Sequence, residues 1–238
     1  MRKFWLHIIL LFVATTGFSQ TYNFKNYNVE DGLAQSQVNC IFQDSKGYMW
    51  FGTNDGGASK FDGKVFKNFS TGNGFISNTV FSITEDKNQN LYFSTYGGLQ
   101  IKNRFADIKI DTNSGLPSST VYTVLVDNNQ KRWIGSQKGV YNLTANNKLV
   151  KLIGDKTLEE SAVFRIYQDS KGNYWFGTIQ SGVCLYNPRA KTYTWFNQTN
   201  GLTENFIRAF NEDSKGNVYI GTVAGLYKVD ESDRKSVV

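Results

Sequence analysis

The sequence predicts an all-β fold, a β-propeller of about five four-stranded blades. Three observations carry it: one decapeptide recurs about every 42 residues, the apolar segments within each repeat are strand-length, and no helical period separates them. The copies read DSKGYMWFGT from Asp44, DKNQNLYFST from Asp86, DNNQKRWIGS from Asp127, DSKGNYWFGT from Asp169 and DSKGNVYIGT from Asp213. Their spacings are 42, 41, 42 and 44 residues, and a large aromatic stands six positions after each aspartate: Trp50, Tyr92, Trp133, Trp175 and Tyr219.

The elements of one repeat follow in order. A Gly-Leu or Gly-Phe pair stands twelve positions before the aspartate in four copies, at Gly32, Gly74, Gly115 and Gly201, while the fourth copy has Thr157-Leu158 and an atypical turn. A first strand follows: VNCIFQ, VFSITE, VYTVLV, VFRIYQ or IRAFNE. The aspartate then opens a tight turn, its side chain accepting from nearby backbone amides. The second strand is a nearly continuous aromatic and β-branched run, as expected where neighbouring blades cover both faces, so its large rings fill the gap between blades. A glycine turn (Gly57, Gly98, Gly139, Gly182, Gly225), a third strand and a fourth strand such as VFKNF from Val65 close the unit. The segment YNFKNYNVEDGL from Tyr22 reads like a fourth strand and exit turn, so an N-terminal strand is expected to complete the last blade and remove an open edge. The five blades either close on themselves or form part of a truncated seven-bladed ring, with 231–238 a tail or truncation point and 21–230 the propeller.

Composition bounds the function. Residues 1–19 read as a signal peptide: Arg2 and Lys3, the apolar run FWLHIILLFV, then Gly17 and Ser19 at the positions a signal peptidase reads. The run is shorter than the roughly 18 residues a membrane span needs. After cleavage no span is expected, and the protein is exported. Loss of Arg2 and Lys3 leaves 24 of the 26 basic residues against 20 acidic ones. These cations are scattered through turns, which argues against a nucleic-acid partner. His7, the one histidine, lies in the leader, so the mature chain has no histidine for nucleophilic catalysis, zinc ligation or phosphoacceptance, and is not expected to be an enzyme. No metal or cofactor is expected: one aspartate per blade places the carboxylates around a rim, outside any calcium-loop spacing. Cys40 and Cys184 fall on different strands of blades one and four, and are expected to be free, buried thiols.

The pattern of a DSKG-like turn, then an aromatic, [FI]GT and a glycine turn, preceded by GL-x4-V, resembles the two-component regulator propeller repeat over essentially all of residues 21–230. The resemblance implies the periplasmic sensor half of an inner-membrane histidine kinase or related regulator of Bacteroidota, often recognising glycan fragments. Members usually carry seven blades or two sets of seven, followed by an immunoglobulin-like domain, a membrane helix and an output domain. Five repeats stand here. The parent would be a sensor histidine kinase and this chain its input half; the alternative is a free-standing exported lectin-like or scaffold propeller binding glycans or a protein partner.

Up-and-down strands put the DSKG turns at one end and the non-repeating loops at the other. Divergent loops on a repeating scaffold are where binding is expected. The candidates for a small-molecule or oligosaccharide ligand are therefore Asn54, Asp55, Tyr96 (a stacking platform), Gln137 and Gln180. Arg165 joins them as a cation in the small-residue register of the innermost strand, either a channel-lining solubility feature or an anion-binding group. Dimerisation is expected only through further blades or domains.

Overall fold

The computed structural model describes residues 23–229, so the expected leader and the 231–238 tail lie outside the described residues. Blade 1 consists of β1 (Val38–Gln43), β2 (Met49–Thr53), β3 (Ala58–Phe61) and β4 (Phe66–Phe69), and blade 2 of β5 (Val80–Glu85), β6 (Leu91–Thr95), β7 (Gly98–Lys102) and β8 (Asp107–Ile110). Blade 3 comprises β9 (Val121–Val126), β10 (Arg132–Ser136), β11 (Val140–Leu143) and β12 (Leu149–Lys151). After a short helix, α1 (Lys156–Glu160), blade 4 contains β13 (Val163–Gln168), β14 (Tyr174–Thr178), β15 (Val183–Asn187) and β16 (Thr192–Phe196). Blade 5 has β17 (Ile207–Glu212), β18 (Val218–Thr222) and β19 (Leu226–Lys228). Within each blade the strands pair antiparallel in chain order, and the first strands of successive blades pack on one another around a central channel. This is a five-bladed β-propeller.

Two expectations are corrected. Blade 5 is three-stranded among the described residues, and residues 23–28 form no strand beside β19. Tyr27 instead packs edge-on against Phe61 and Phe66 of blade 1, with centroids 5.2 and 5.7 Å away. That contact holds this stretch against blade 1, away from the open edge of blade 5. The helix α1 occupies the place of the atypical Thr157-Leu158 turn, where no helical period was expected. Blades 1–3 enter through single 3-10 turns that end on Gly32, Gly74 and Gly115 at φ of +102°, +90° and +96°. Blade 4 lacks that glycine, so the chain cannot stop in the left-handed region and continues as a helix, with Asp155 accepting from the Leu158 amide at 2.8 Å and Leu158 buried.

Each repeated aspartate accepts more than turn amides. Asp44 takes the Lys46 and Tyr48 amides at 3.0 and 2.9 Å and the indole N–H of Trp50 at 2.8 Å. Asp169 repeats this with the Lys171 and Asn173 amides and Trp175 Nε1, and Asp213 with Lys215, Asn217 and the Tyr219 hydroxyl. One carboxylate thus shapes the turn and also satisfies the polar atom of the aromatic that the turn delivers into the blade interface.

The joints between blades also repeat. Trp50 packs with Ile83 and Phe93 of blade 2, Tyr92 with Val124 and Ile134 of blade 3, Trp133 with Ile166 and Phe176 of blade 4, and Trp175 with Ile220 of blade 5. Close approach needs glycine: a Cβ at Gly52 would meet Val80 at 2.7 Å, one at Gly135 the Val163 carbonyl at 2.7 Å, and one at Gly177 Ile207 at 2.7 Å. At the DSKG end each joint is clasped by the amide after the aspartate. Ser45 donates to Glu85 at 2.7 Å, Lys87 to Gln130 at 3.0 Å, Asn128 to Gln168 at 3.0 Å and Ser170 to Glu212 at 2.8 Å. At the two ends of the series these positions are open. Ile41 and Leu226 are 62% and 70% exposed, where their counterparts in blades 2–4 are buried.

Both cysteines are free. Cys184 is buried within blade 4, whereas Cys40 on β1 is half-buried at the margin of the core between blades 1 and 2, a correction to the expectation of two buried thiols. Burial pushes the Cys40 thiol up to about 11, against hydrogen bonding from Gly52 and the nearby Arg165 cation, and raises Cys184 as well.

Candidate functional site

Every innermost strand carries a register shift after its first residue, between Val38 and Cys40, Val80 and Ser82, Val163 and Arg165, and Ile207 and Ala209, with Tyr122 skipped in the same way on β9. The skipped residue pairs with nothing on the second strand. Its side chain is re-aimed. The result is one row of five at the loop end of the channel: Asn39, Phe81, Tyr122, Phe164 and Arg208. Strand-to-strand repetition places them at one level, and apart from the two phenylalanines their identities differ.

Three members of the row pack in sequence with tilted rings, Phe81 to Tyr122 at 5.3 Å and 55° and Tyr122 to Phe164 at 5.6 Å and 56°, and Phe164 continues edge-on to Phe206 at 5.1 Å. Cations lie over this aromatic arc. Arg165 stands 4.2 Å above the Phe164 ring and donates to the Phe164 carbonyl at 2.9 Å, and Arg208 stands 4.3 Å from Phe206 and 5.9 Å from Phe164. Among the described residues neither guanidinium pairs with a carboxylate. Burial, and then the neighbouring Arg208 charge, pull the Arg165 pKa below the usual arginine value, partly offset by Cys40.

The loop residues singled out from the sequence divide. Gln137 and Gln180 line a single cavity of about 530 Å³ between blades 3 and 4, together with Tyr122 of the bulge row, and α1 supplies its wall through Thr157 and Glu160. Tyr96, 63% exposed, lies near Tyr122, whose phenol is raised by burial first and then by Tyr96. Asn54 and Asp55 of blade 1 do not join them. The Asn54 amide group donates to Gln37 at 3.2 Å, and Asp55 holds a left-handed turn at φ +70°. Arg165 lies outside that cavity, its guanidinium over the Phe164 ring. Sequence reasoning missed Phe81, Tyr122 and Phe164, which the bulges set in one row, and Phe206, which precedes β17 and extends that row by its edge-on contact with Phe164.

The arrangement offers flat aromatic faces, amide donors and acceptors, and two unpaired cations, which suits binding. Among the described residues no three metal-ligating side chains come together, and no helix is long and apolar enough to cross a membrane.

The two component regulator propeller family matches at residues 32–55, 74–97, 157–180 and 201–224, the entry loop through second strand of blades 1, 2, 4 and 5. The chain belongs to the two-component regulator propeller family. Blade 3 of this regulator propeller lies outside the four matches, yet has the same strand order. Its turn places Gln130 at φ +62° where blades 1, 4 and 5 have glycine, so the geometry persists without the sequence mark.

The propeller is 28% identical to the extracellular domain of a hybrid two-component system from B. thetaiotaomicron, with a TM-score of 0.68, covering 84% of this chain and 30% of that one. Histidine kinase P4 of Formosa agariphila is 38% identical over 71 residues, 28% of this chain and 5% of the kinase. The chain thus spans under a third of either relative. A catalytically inactive variant of virginiamycin B lyase from Staphylococcus aureus, solved with quinupristin, has a TM-score of 0.71 at 12% identity, covering 92% of this chain and 74% of that one, a likeness of fold alone.

Proposed function

We propose that this propeller is the ligand-sensing input module of an exported, periplasmic part of a two-component signalling protein, a sensor histidine kinase or related regulator. It reads a small ligand, an oligosaccharide fragment, at the loop end of its channel. Family membership and the likeness to an extracellular two-component domain support the signalling context. The observation that carries the site is the bulge row: a scaffold that repeats its turns, clasps and interface aromatics presents at one level five side chains of four kinds, beside the loops that differ most. Tyr122 joins the row to the cavity holding Gln137 and Gln180. The tilted rings of this row offer faces for sugar rings and the amides offer hydrogen bonds to hydroxyls. The module does no chemistry itself; occupancy stabilises one arrangement of the blades.

A thermal-shift screen of the purified chain against an oligosaccharide panel tests this. A ligand is expected to raise the midpoint, and Tyr122→Ala and Gln137→Ala to remove the rise while leaving the unliganded midpoint within a few degrees. A rise that survives both substitutions places the ligand elsewhere and overturns the assignment.

A further inference from the structure

The opposite end carries a feature that the repeat conceals. Five cations from four segments of chain, Lys46, Lys60, Lys67, Lys102 and Arg104, line one groove of about 710 Å³ between blades 1 and 2. In sequence they look scattered. Lys46 comes from the first DSKG turn, Lys60 and Lys67 from β3 and β4, Lys102 from β7 and Arg104 from the turn after it; packing of blade on blade gathers them.

Among the described residues, of these five only Lys102 has a carboxylate partner, Asp107 at 2.5 Å. The other acids of this region are engaged: Asp86 holds its own turn through the Asn88 and Asn90 amides, and Glu85 accepts from Ser45. The floor is apolar, made of Trp50, Phe69 and Leu91, and the cations lean over aromatic rings: Lys60 stands 3.3 Å from Tyr48, Lys102 4.9 Å from Phe69 and Arg104 4.3 Å from Phe105. Phe105 stands at the lip, 81% exposed. The side chains of Asn88 and Gln89 line the groove and make no hydrogen bond among the described residues.

We infer that this groove is a second binding site, taking an oligosaccharide segment with repeated oxyanions, carboxylate or sulfate. Four of the five cations stand in this concavity with no carboxylate partner among the described residues, which calls for several negative charges. The aromatic floor and lip suit ring faces, and the unused amides suit hydroxyls, both of which every unit of a sugar chain presents. The site is independent of the loop end: it lies at the DSKG end and shares no residue with the bulge row.

The test is calorimetric titration of the purified chain with tetragalacturonate, with neutral cellotetraose and with poly-L-glutamate. Tetragalacturonate is expected to bind, with affinity falling as salt rises from 50 to 300 mM, and cellotetraose to bind at least tenfold more weakly. The combined Lys60→Gln, Lys67→Gln and Arg104→Gln variant is expected to weaken tetragalacturonate about tenfold or more, three exposed ion pairs lost together, while Lys60→Arg retains binding. Tyr122→Ala at the loop end is expected to leave it unchanged, so the two sites fail or stand separately. Equal binding of cellotetraose, unchanged affinity in the triple variant, or poly-L-glutamate binding as tightly as tetragalacturonate overturns the assignment.

Discussion

Asp127→Asn tests whether one carboxylate holds both a turn and a blade joint. Oδ1 accepts the Asn129 and Lys131 amides at 2.9 and 2.8 Å; Oδ2 accepts Trp133 Nε1 at 3.0 Å and the Tyr174 hydroxyl of blade 4 at 2.6 Å. The residue is 3% exposed, so water cannot replace a lost partner. Asparagine keeps one oxygen. Placed toward the turn, it sets an NH₂ against the Trp133 indole N–H, which can only donate; placed toward Trp133, it opposes two backbone amides. At least one buried donor is left unpaired, and with the loss of a charge-assisted bond the cost is about 2–4 kcal/mol. For a chain of this size that lowers the melting midpoint by roughly 5–15 °C. Thermal denaturation followed by circular dichroism measures it, with Asp213→Asn as the control: the same turn at the more exposed blade 5 should cost less. A shift below about 2 °C, or equal shifts for the two variants, refutes the argument.

Three further outcomes are expected. Hydrogen bonds from Asn217 hold the Asp213 carboxyl down at about 2, and Asp86 is also depressed by hydrogen bonds from Asn90 and Tyr92 that outweigh its burial. Depressed folded values make these groups stabilising above pH 4, and that stability is lost as pH falls through the folded values; a midpoint flat between pH 4 and 2 contradicts this. Gln89, at φ +63° where blades 1, 4 and 5 have glycine, is strained, so Gln89→Gly should stabilise by about 0.5–1 kcal/mol in urea unfolding, and a decrease counts against the strain. Cys184 should react with a thiol reagent only on unfolding and Cys40 slowly in the native state; fewer than two titratable thiols in denaturant would show a bridge and contradict the blade assignment.

The sequence by itself determined the propeller, its blade boundaries and the framework role of the DSKG turn, because these depend on local rules: strand period, turn chemistry and a spacing repeated five times. Even blade 3, outside the family's matched stretches, was legible from Asp127 and Trp133. Legibility ended where a feature draws on several blades. Trp50 could be read as core, but its hydrogen bond to Asp44 needs both side chains placed on one side of the turn. The bulges leave no mark in composition, so Tyr122 and Phe164 were not among the candidate site residues, and only the register shift sets them in one row with Phe81. The groove between blades 1 and 2 was read as scattered charge for the same reason. Lys46 and Arg104 are 58 positions apart in sequence, and only the packing of one twisted sheet on the next brings them to one wall. Local chemistry specifies each blade; the angle at which blades meet decides which side chains share a site.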